Sequence, residues 1–221
     1  MTDIFEYLSD NAYPGRGIIA GHYNGECVIA YFIMGRSPNS RNRIFAREDG
    51  MIVTRAFDES KVTDPSLIIY HAFNKINDNL VITNGAQTDA ICQSIKEGKT
   101  MAKALKTWEY EPDAPNYTPR ISAVLTKKTC QISILKNENG KCLRKYYHYK
   151  AADGIAHFIS TYDHDGNPLP SFSQKPIKLK INEDIEEFAH HLYNSLNYDN
   201  KISLYVRFGD RDIILNKNEG D

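Results

Sequence analysis

Short apolar segments separated by turn residues make up most of the chain. GIIAGHY and CVIAYFIMG are joined by Asn24-Gly25, a pair that tolerates the positive φ angles of a tight hairpin. MIVTRAF, LIIYHAF and LVITNG continue as strands. From Thr88 to Trp108 the period lengthens, with Ala90, Ile91, Ile95, Ala102 and Leu105 at helical spacing and an interruption near Gly98. RISAVLT, CQISILKN, KCLRKYYHYK and HFISTYDH return to strand, with Asn139-Gly140 and Asp165-Gly166 as turns. EDIEEFAHHLYNSLN predicts a second clear helix, with Glu183, Asp184, Glu186 and Glu187 crowded where the positive helix end favours acids. ISLYVRF and DIILNK are the last strands, and the tail from Asn216 reads as frayed. The polar stretch NPLPSFSQKP, residues 167–176, reads as a long surface loop. Seven or more strands with few helices predict an α+β fold with sheets packed face to face.

Composition sharpens this picture. With 221 residues, 41% hydrophobic and 25% charged, the chain suits one domain spanning 1–221 with a packed core. Fourteen tyrosines and nine phenylalanines against one tryptophan favour pleated surfaces. A net charge of −1 argues against a general electrostatic grip on nucleic acid or an anionic membrane, so any basic site is local. Cys27, Cys92, Cys130 and Cys142 lie far apart without metal spacing, as expected of free thiols in a reducing cytoplasm. The first residues include Asp3 and Glu6 and no apolar core, unlike a signal peptide. No apolar run approaches the roughly 20 residues a bilayer needs.

Polar residues gather at four strand ends, where sites tend to be built. Tyr13-Pro14-Gly15-Arg16-Gly17 brings a glycine-flanked arginine into a strand, either as a plain turn or to meet a ligand. Arg36, Ser37, Ser40, Arg41 and Arg43 share one loop, where guanidinium forks and hydroxyls could grip phosphate, although no P-loop is present and a solvated turn is the alternative. Asn84, Gly85, Gln87, Thr88 and Asp89 lead from a strand into a helix, with Thr88 or Asp89 as cap and free amides that could face a ligand. Glu109 to Arg120 is a proline-stiffened connection carrying Glu111, Thr118 and Arg120. His190-His191 and Asp163-His164-Asp165 read as surface and turn residues, so no metal site is expected.

GRSPNSRNRIF, DPSLIIYHAF, TNGAQTDAI, YEPDAPNYTPRIS and ISTYDH, in that order, resemble the archaeal-type IMP cyclohydrolase family and its bacterial relatives. The resemblance runs from about Gly15 to His164. It implies a four-layer αββα sandwich like that of N-terminal-nucleophile hydrolases, and one reaction: closure of 5-formamidoimidazole-4-carboxamide ribonucleotide to inosine monophosphate (IMP) with loss of water. Both reacting groups sit on adjacent ring carbons, so the protein has to rotate them together and stabilise charge on the formyl oxygen. No cofactor is expected, and the partner is a purine nucleotide. Whether the chain forms a homo-oligomer is not fixed by the sequence.

The resemblance implies Arg36, Tyr70 and Glu111 as active-site residues, Glu111 as base or proton relay with Glu109 as competitor. Arg16, Ser37, Ser40, Arg41, Arg43, Asn84, Gly85, Gln87, Thr88, Asp89, Thr118 and Arg120 are the expected nucleotide contacts. Which of Arg41 and Arg43 meets phosphate stays open. Two rivals remain: a non-enzymatic nucleotide-binding regulator, and an amidohydrolase with Thr2 as nucleophile. Thr2 precedes the helix-like DIFEYLSDNAY rather than a strand, which counts against the second.

Overall fold

The computed structural model describes residues 1–62 and 68–220. Among these the strands are β1 (Arg16–Tyr23), β2 (Glu26–Met34), β3 (Arg43–Glu48), β4 (Met51–Ala56), β5 (His71–Ile76), β6 (Asn79–Thr83), β7 (Arg120–Leu125), β8 (Thr129–Glu138), β9 (Lys141–Lys150), β10 (Ile155–Ser160), β11 (Ile177–Lys180), β12 (Lys201–Phe208) and β13 (Arg211–Asn216). The helices are α1 (Ile4–Ser9), α2 (Pro38–Arg41), α3 (Gln87–Lys96), α4 (Met101–Ala104) and α5 (Ile185–Ser195). One antiparallel sheet runs β11-β10-β1-β2-β12-β13, and the other is the sequential meander β3-β4-β5-β6-β7-β8-β9.

The uninterrupted apolar run of β2 follows from burial on both faces. Ile29, Tyr31 and Ile33 point between the sheets, against Phe45, Phe73, Ile121 and Ile132 of the meander. Val28, Ala30, Phe32 and Met34 point outward into a second cluster, which α1 and α5 close with Leu8, Phe188 and Leu192. Each fully buried side chain of this size contributes about 1.5–3 kcal/mol. On the far face of the meander, Val81 and Val124 pack against Ile91 of α3 and Met101 of α4. In the β1–β2 turn Asn24 and Gly25 both take positive φ, 52° and 74°, which asparagine tolerates and glycine adopts freely for want of a Cβ.

Several expectations need correction. The caps of α3 differ: Ala86 is the N-cap without a side-chain bond, and Thr88 and Asp89 lie inside the first turn. Thr88 Oγ1 instead bonds back to the Gly85 carbonyl. The first residue of the predicted strand LIIYHAF, Leu67, lies outside the described residues, as does Asp64-Pro65-Ser66 of the same motif; β5 begins only at His71. The tail is not frayed at Asn216, which is buried because its amide binds both the N–H and the C=O of Phe45 in β3, joining an edge of one sheet to an edge of the other. The loop 167–176 is anchored, since Leu169 and Phe172 are buried. Among the described residues no helix is long and apolar enough to cross a membrane.

Candidate functional site

At one end of the sandwich, β1, β3 and β7 begin and β2 and β10 end. A cavity of about 380 Å³ lies there, lined among others by Tyr13, Arg16, Arg36, Arg43, Glu111 and Tyr162. Gly15, at φ 78°, makes the approach of β1 feasible: a Cβ there would lie 2.3 Å from Thr161 Oγ1 and 2.5 Å from the Tyr162 ring.

Arg16 is buried and its guanidinium meets Glu111 fork to fork, Nη1 to Oε1 at 2.9 Å and Nη2 to Oε2 at 2.8 Å. Nη1 also donates to the Asn84 carbonyl at 3.0 Å. Burial works against the Arg16 charge, but Glu111 outweighs it and raises the pKa well above the ordinary arginine value. Arg120 approaches the same carboxylate from the other side, 3.7 Å from Oε1, and lies over the Trp108 ring. Glu109 is exposed and only its carbonyl reaches Arg120, so Glu111 is the carboxylate of this connection that enters the cavity.

The arginine-rich loop divides its residues. Ser37 caps the short α2 in a reciprocal box with Ser40, and both line the cavity. Arg43 is 5% exposed and donates only to carbonyls, from Nε to Ser40 and from Nη2 to Met34. Among the described residues no carboxylate lies within ion-pair distance of it. Burial lowers its pKa, Tyr70 opposes that and Arg16 adds to it; a guanidinium nevertheless keeps its charge at neutral pH. Arg36 is more exposed, bonded to Asp165 at 2.5 Å and to the Gly166 carbonyl, with its charge over the Tyr13 ring. Arg41 turns away to Gly35 and Asn200. Of the two candidates left open, Arg43 is the one that faces the cavity.

The strand-to-helix residues do not line this cavity. Asn84, Gln87 and Thr88 are fully buried, and their side chains fasten the start of β7 and the first turn of α3. Gln87 Oε1 accepts from Arg120 Nη1 at 3.1 Å. Gly85 leaves room for that guanidinium, since a Cβ would lie 2.6 Å from Nη1. Asp89 is exposed and pairs with His71 at 2.8 Å beside a separate depression. Tyr70 does not line the cavity either: its hydroxyl bonds that of fully buried Tyr31 at 2.7 Å, close enough to Arg16 and Arg43 to influence their titration. Burial, reinforced by Tyr70, raises the Tyr31 pKa well above the ordinary phenol value, so that phenol stays protonated.

Tyr31 escaped the sequence reading, and Tyr13, Asp113 and Tyr162 lay inside singled-out stretches without being given a role. A tyrosine inside an apolar strand carries no local sign that its hydroxyl has a polar partner. Tyr162 lay within ISTYDH, but its bond to Thr118 Oγ1 at 2.5 Å joins residues 44 positions apart. Thr2 makes an isolated bridge to Leu179 at a sheet edge and is not among the cavity residues.

Fold and site together define a two-sheet α+β protein with a buried, arginine-rich cleft at the strand ends. A family model described as IMP cyclohydrolase-like protein matches residues 13–213. The IMP cyclohydrolase of Methanosphaera stadtmanae is 32% identical over 69% of this chain and 75% of its own length. That of Methanopyrus kandleri is 31% identical over 79% and 84%, and that of Methanocaldococcus jannaschii 24% identical over 90% and 95%. The chain belongs to the IMP cyclohydrolase-like family.

Proposed function

We propose that the chain is an IMP cyclohydrolase, closing the formamido-carboxamide ribonucleotide to IMP in a biosynthetic, cytoplasmic setting. Membership of the family and the names of its curated relatives support the activity. The observation that carries the site is Arg43: a buried cation without a carboxylate partner among the described residues, facing the cavity beside Ser37 and Ser40. A phosphate there would supply the missing charge. Arg36 can join it, because its present pair with Asp165 is partly exposed. Such pairs contribute about 0–1 kcal/mol, against about 1.5–3 kcal/mol for a hydrogen bond to a charged group.

The Arg16–Glu111–Arg120 cluster then meets the reacting end. Taking up a proton on Glu111 would break a buried, bidentate pair, a loss of about 3–5 kcal/mol when one partner is removed. Glu111 therefore serves to hold Arg16 and Arg120 in place rather than as the base. The Tyr31–Tyr70 hydroxyl pair adjoins Arg16 and Arg43 from behind the cavity and helps to fix the two guanidinium groups there. Ring closure with loss of water is redox-neutral and calls for no organic cofactor.

The order of helices, sheet, sheet and helices supports reading the fold as the αββα sandwich of N-terminal-nucleophile hydrolases, in one domain. Incubating the purified protein with the synthetic formamido nucleotide, and following IMP by ultraviolet absorbance with and without chelator, tests the activity. Turnover in chelator is expected. Nucleotide binding without turnover would instead favour the regulator.

A further inference from the structure

Three cavity residues form a hydrogen-bonded line that the roles above leave unused. Thr118 is 2% exposed, its N–H donates to Asp113 Oδ1 at 2.7 Å, and its hydroxyl bonds Asp113 Oδ2. The same hydroxyl oxygen lies 2.5 Å from the Tyr162 hydroxyl. All three residues line the cavity.

Counting protons fixes the direction of the line. A carboxylate only accepts, so Thr118 spends its one hydroxyl proton on Asp113. At the second contact the Thr118 oxygen must then accept, and the proton comes from Tyr162. The Tyr162 oxygen is left with lone pairs and no proton to offer. It presents to the cavity an acceptor, wired through Thr118 to a carboxylate. Tyr13 stacks against the Tyr162 ring, centroids 6.1 Å apart, and the Gly15 backbone lies so close to it that a Cβ would come within 2.5 Å, so the ring is held in place.

We infer that Tyr162 is a catalytic residue that takes the proton from the carboxamide nitrogen, with Thr118 and Asp113 as positioning residues that carry it away. This rests on the ring-closing activity proposed above. As the nitrogen bonds to the formyl carbon, one N–H bond breaks and its proton passes to the Tyr162 oxygen. The Tyr162 proton moves to Thr118 Oγ1 and the Thr118 proton to Asp113 Oδ2. The formyl C=O electron pair goes to its oxygen. In the second half that oxygen receives the stored proton back through the chain and a second proton from the formamide N–H. It leaves as water while the C=N bond forms. A relay of neutral hydroxyls suits a phenol whose pKa burial has raised, because Tyr162 need never exist as a free phenolate.

The test compares wild type, Tyr162→Phe, Thr118→Val and Thr118→Ser, all checked for folding by circular dichroism. It measures kcat, the IMP dissociation constant and kcat in H₂O/D₂O mixtures. Tyr162→Phe and Thr118→Val should each lower kcat about 10²-fold, the scale of a lost general base, while IMP affinity changes less than about 3-fold. Thr118→Ser, which keeps the hydroxyl, should restore most of that loss. Wild type should show the curved isotope dependence of several protons in flight, and Thr118→Val a linear one. Normal turnover in folded Tyr162→Phe, or kcat and IMP affinity falling together, would overturn the relay while wild-type turnover upholds the activity. A wild type that makes no IMP would overturn the activity itself, and the relay with it.

Discussion

Arg16 and Glu111, 95 residues apart in sequence, face each other through two parallel hydrogen bonds of 2.9 and 2.8 Å inside the protein. Neither charge tolerates burial alone. Glu111→Gln should therefore destabilise the fold by about 3 kcal/mol, read as a lower urea midpoint, and the double variant Arg16→Gln/Glu111→Gln should recover part of it. Glu109→Gln, on an exposed side chain, should leave stability and turnover unchanged. Equal effects at 109 and 111 would contradict this placement.

Arg43→Ala should weaken IMP binding by about one to two decades while leaving unphosphorylated inosine nearly unaffected, measured by calorimetry. Equal losses for nucleotide and nucleoside would mean that the loop reads something other than phosphate.

Asp165 occupies the Arg36 guanidinium at 2.5 Å and carries the same sign as phosphate. Asp165→Asn should accordingly tighten IMP binding, by about 2- to 5-fold given the exposure of the pair. Weaker binding in this variant would show that Asp165 helps to hold the nucleotide.

The Tyr31 and Tyr70 hydroxyls, 2.7 Å apart, act as a unit if one polarises the other. Tyr70→Phe should lower turnover about 10-fold, the scale of one lost hydrogen bond behind Arg16 and Arg43, and Tyr31→Phe less. The double variant should be no slower than Tyr70→Phe alone. Additive losses would separate the two phenols.

His157 stacks on Tyr149 between the two sheets, centroids 3.6 Å apart. Burial, with a smaller effect of Lys178, lowers its pKa from 6.5 to about 4. The unfolded chain therefore takes up this proton first. The stability is complete above about pH 6.5 and is lost progressively as pH falls towards 4, with a slope of up to about 1.4 kcal/mol per pH unit from this one group. His157→Phe should keep the stacking and reduce the slope of urea stability against pH in that window. An unchanged slope would assign the acid sensitivity to other groups.

Much of the sandwich was legible in the sequence because its strands are long and apolar and its hairpins carry Asn-Gly turns. The exceptions have local causes. β3 was hidden in the charge of RNRIFARE, where only Phe45 among its central residues is fully buried. β11, IKLK, is four residues long at a sheet edge. In the site, the clustered arginines pointed to the loop of Arg36 and Arg43, flanking glycines to Arg16, and the family resemblance to Arg36, Tyr70 and Glu111. Composition could not say that Asn84, Gln87 and Thr88 would spend their polar groups on one another, on Arg120 and on nearby backbone, nor that Arg41 would turn outward. Those outcomes depend on which side of a short turn each side chain leaves, which sequence spacing does not resolve in irregular segments.

The order of strands also carries a consequence for how the molecule assembles. β3 to β9 pair strictly with their sequence neighbours, whereas β1 and β2 wait for β10 and β12, more than 130 residues downstream in the case of β1 and β10. Local pairings close with little loss of chain entropy and distant ones with more, so the meander should form first and the six-stranded sheet should close over it. Pulsed hydrogen exchange during refolding would then protect β6 to β8 amides before those of β1 and β12. The arginine-bearing loop lies where the chain passes from β2 into β3, on the seam between the early sheet and the late one. The end that carries the candidate site is thus the last part of the protein to acquire its shape, and recovery of activity should track the slow closure rather than the first appearance of sheet.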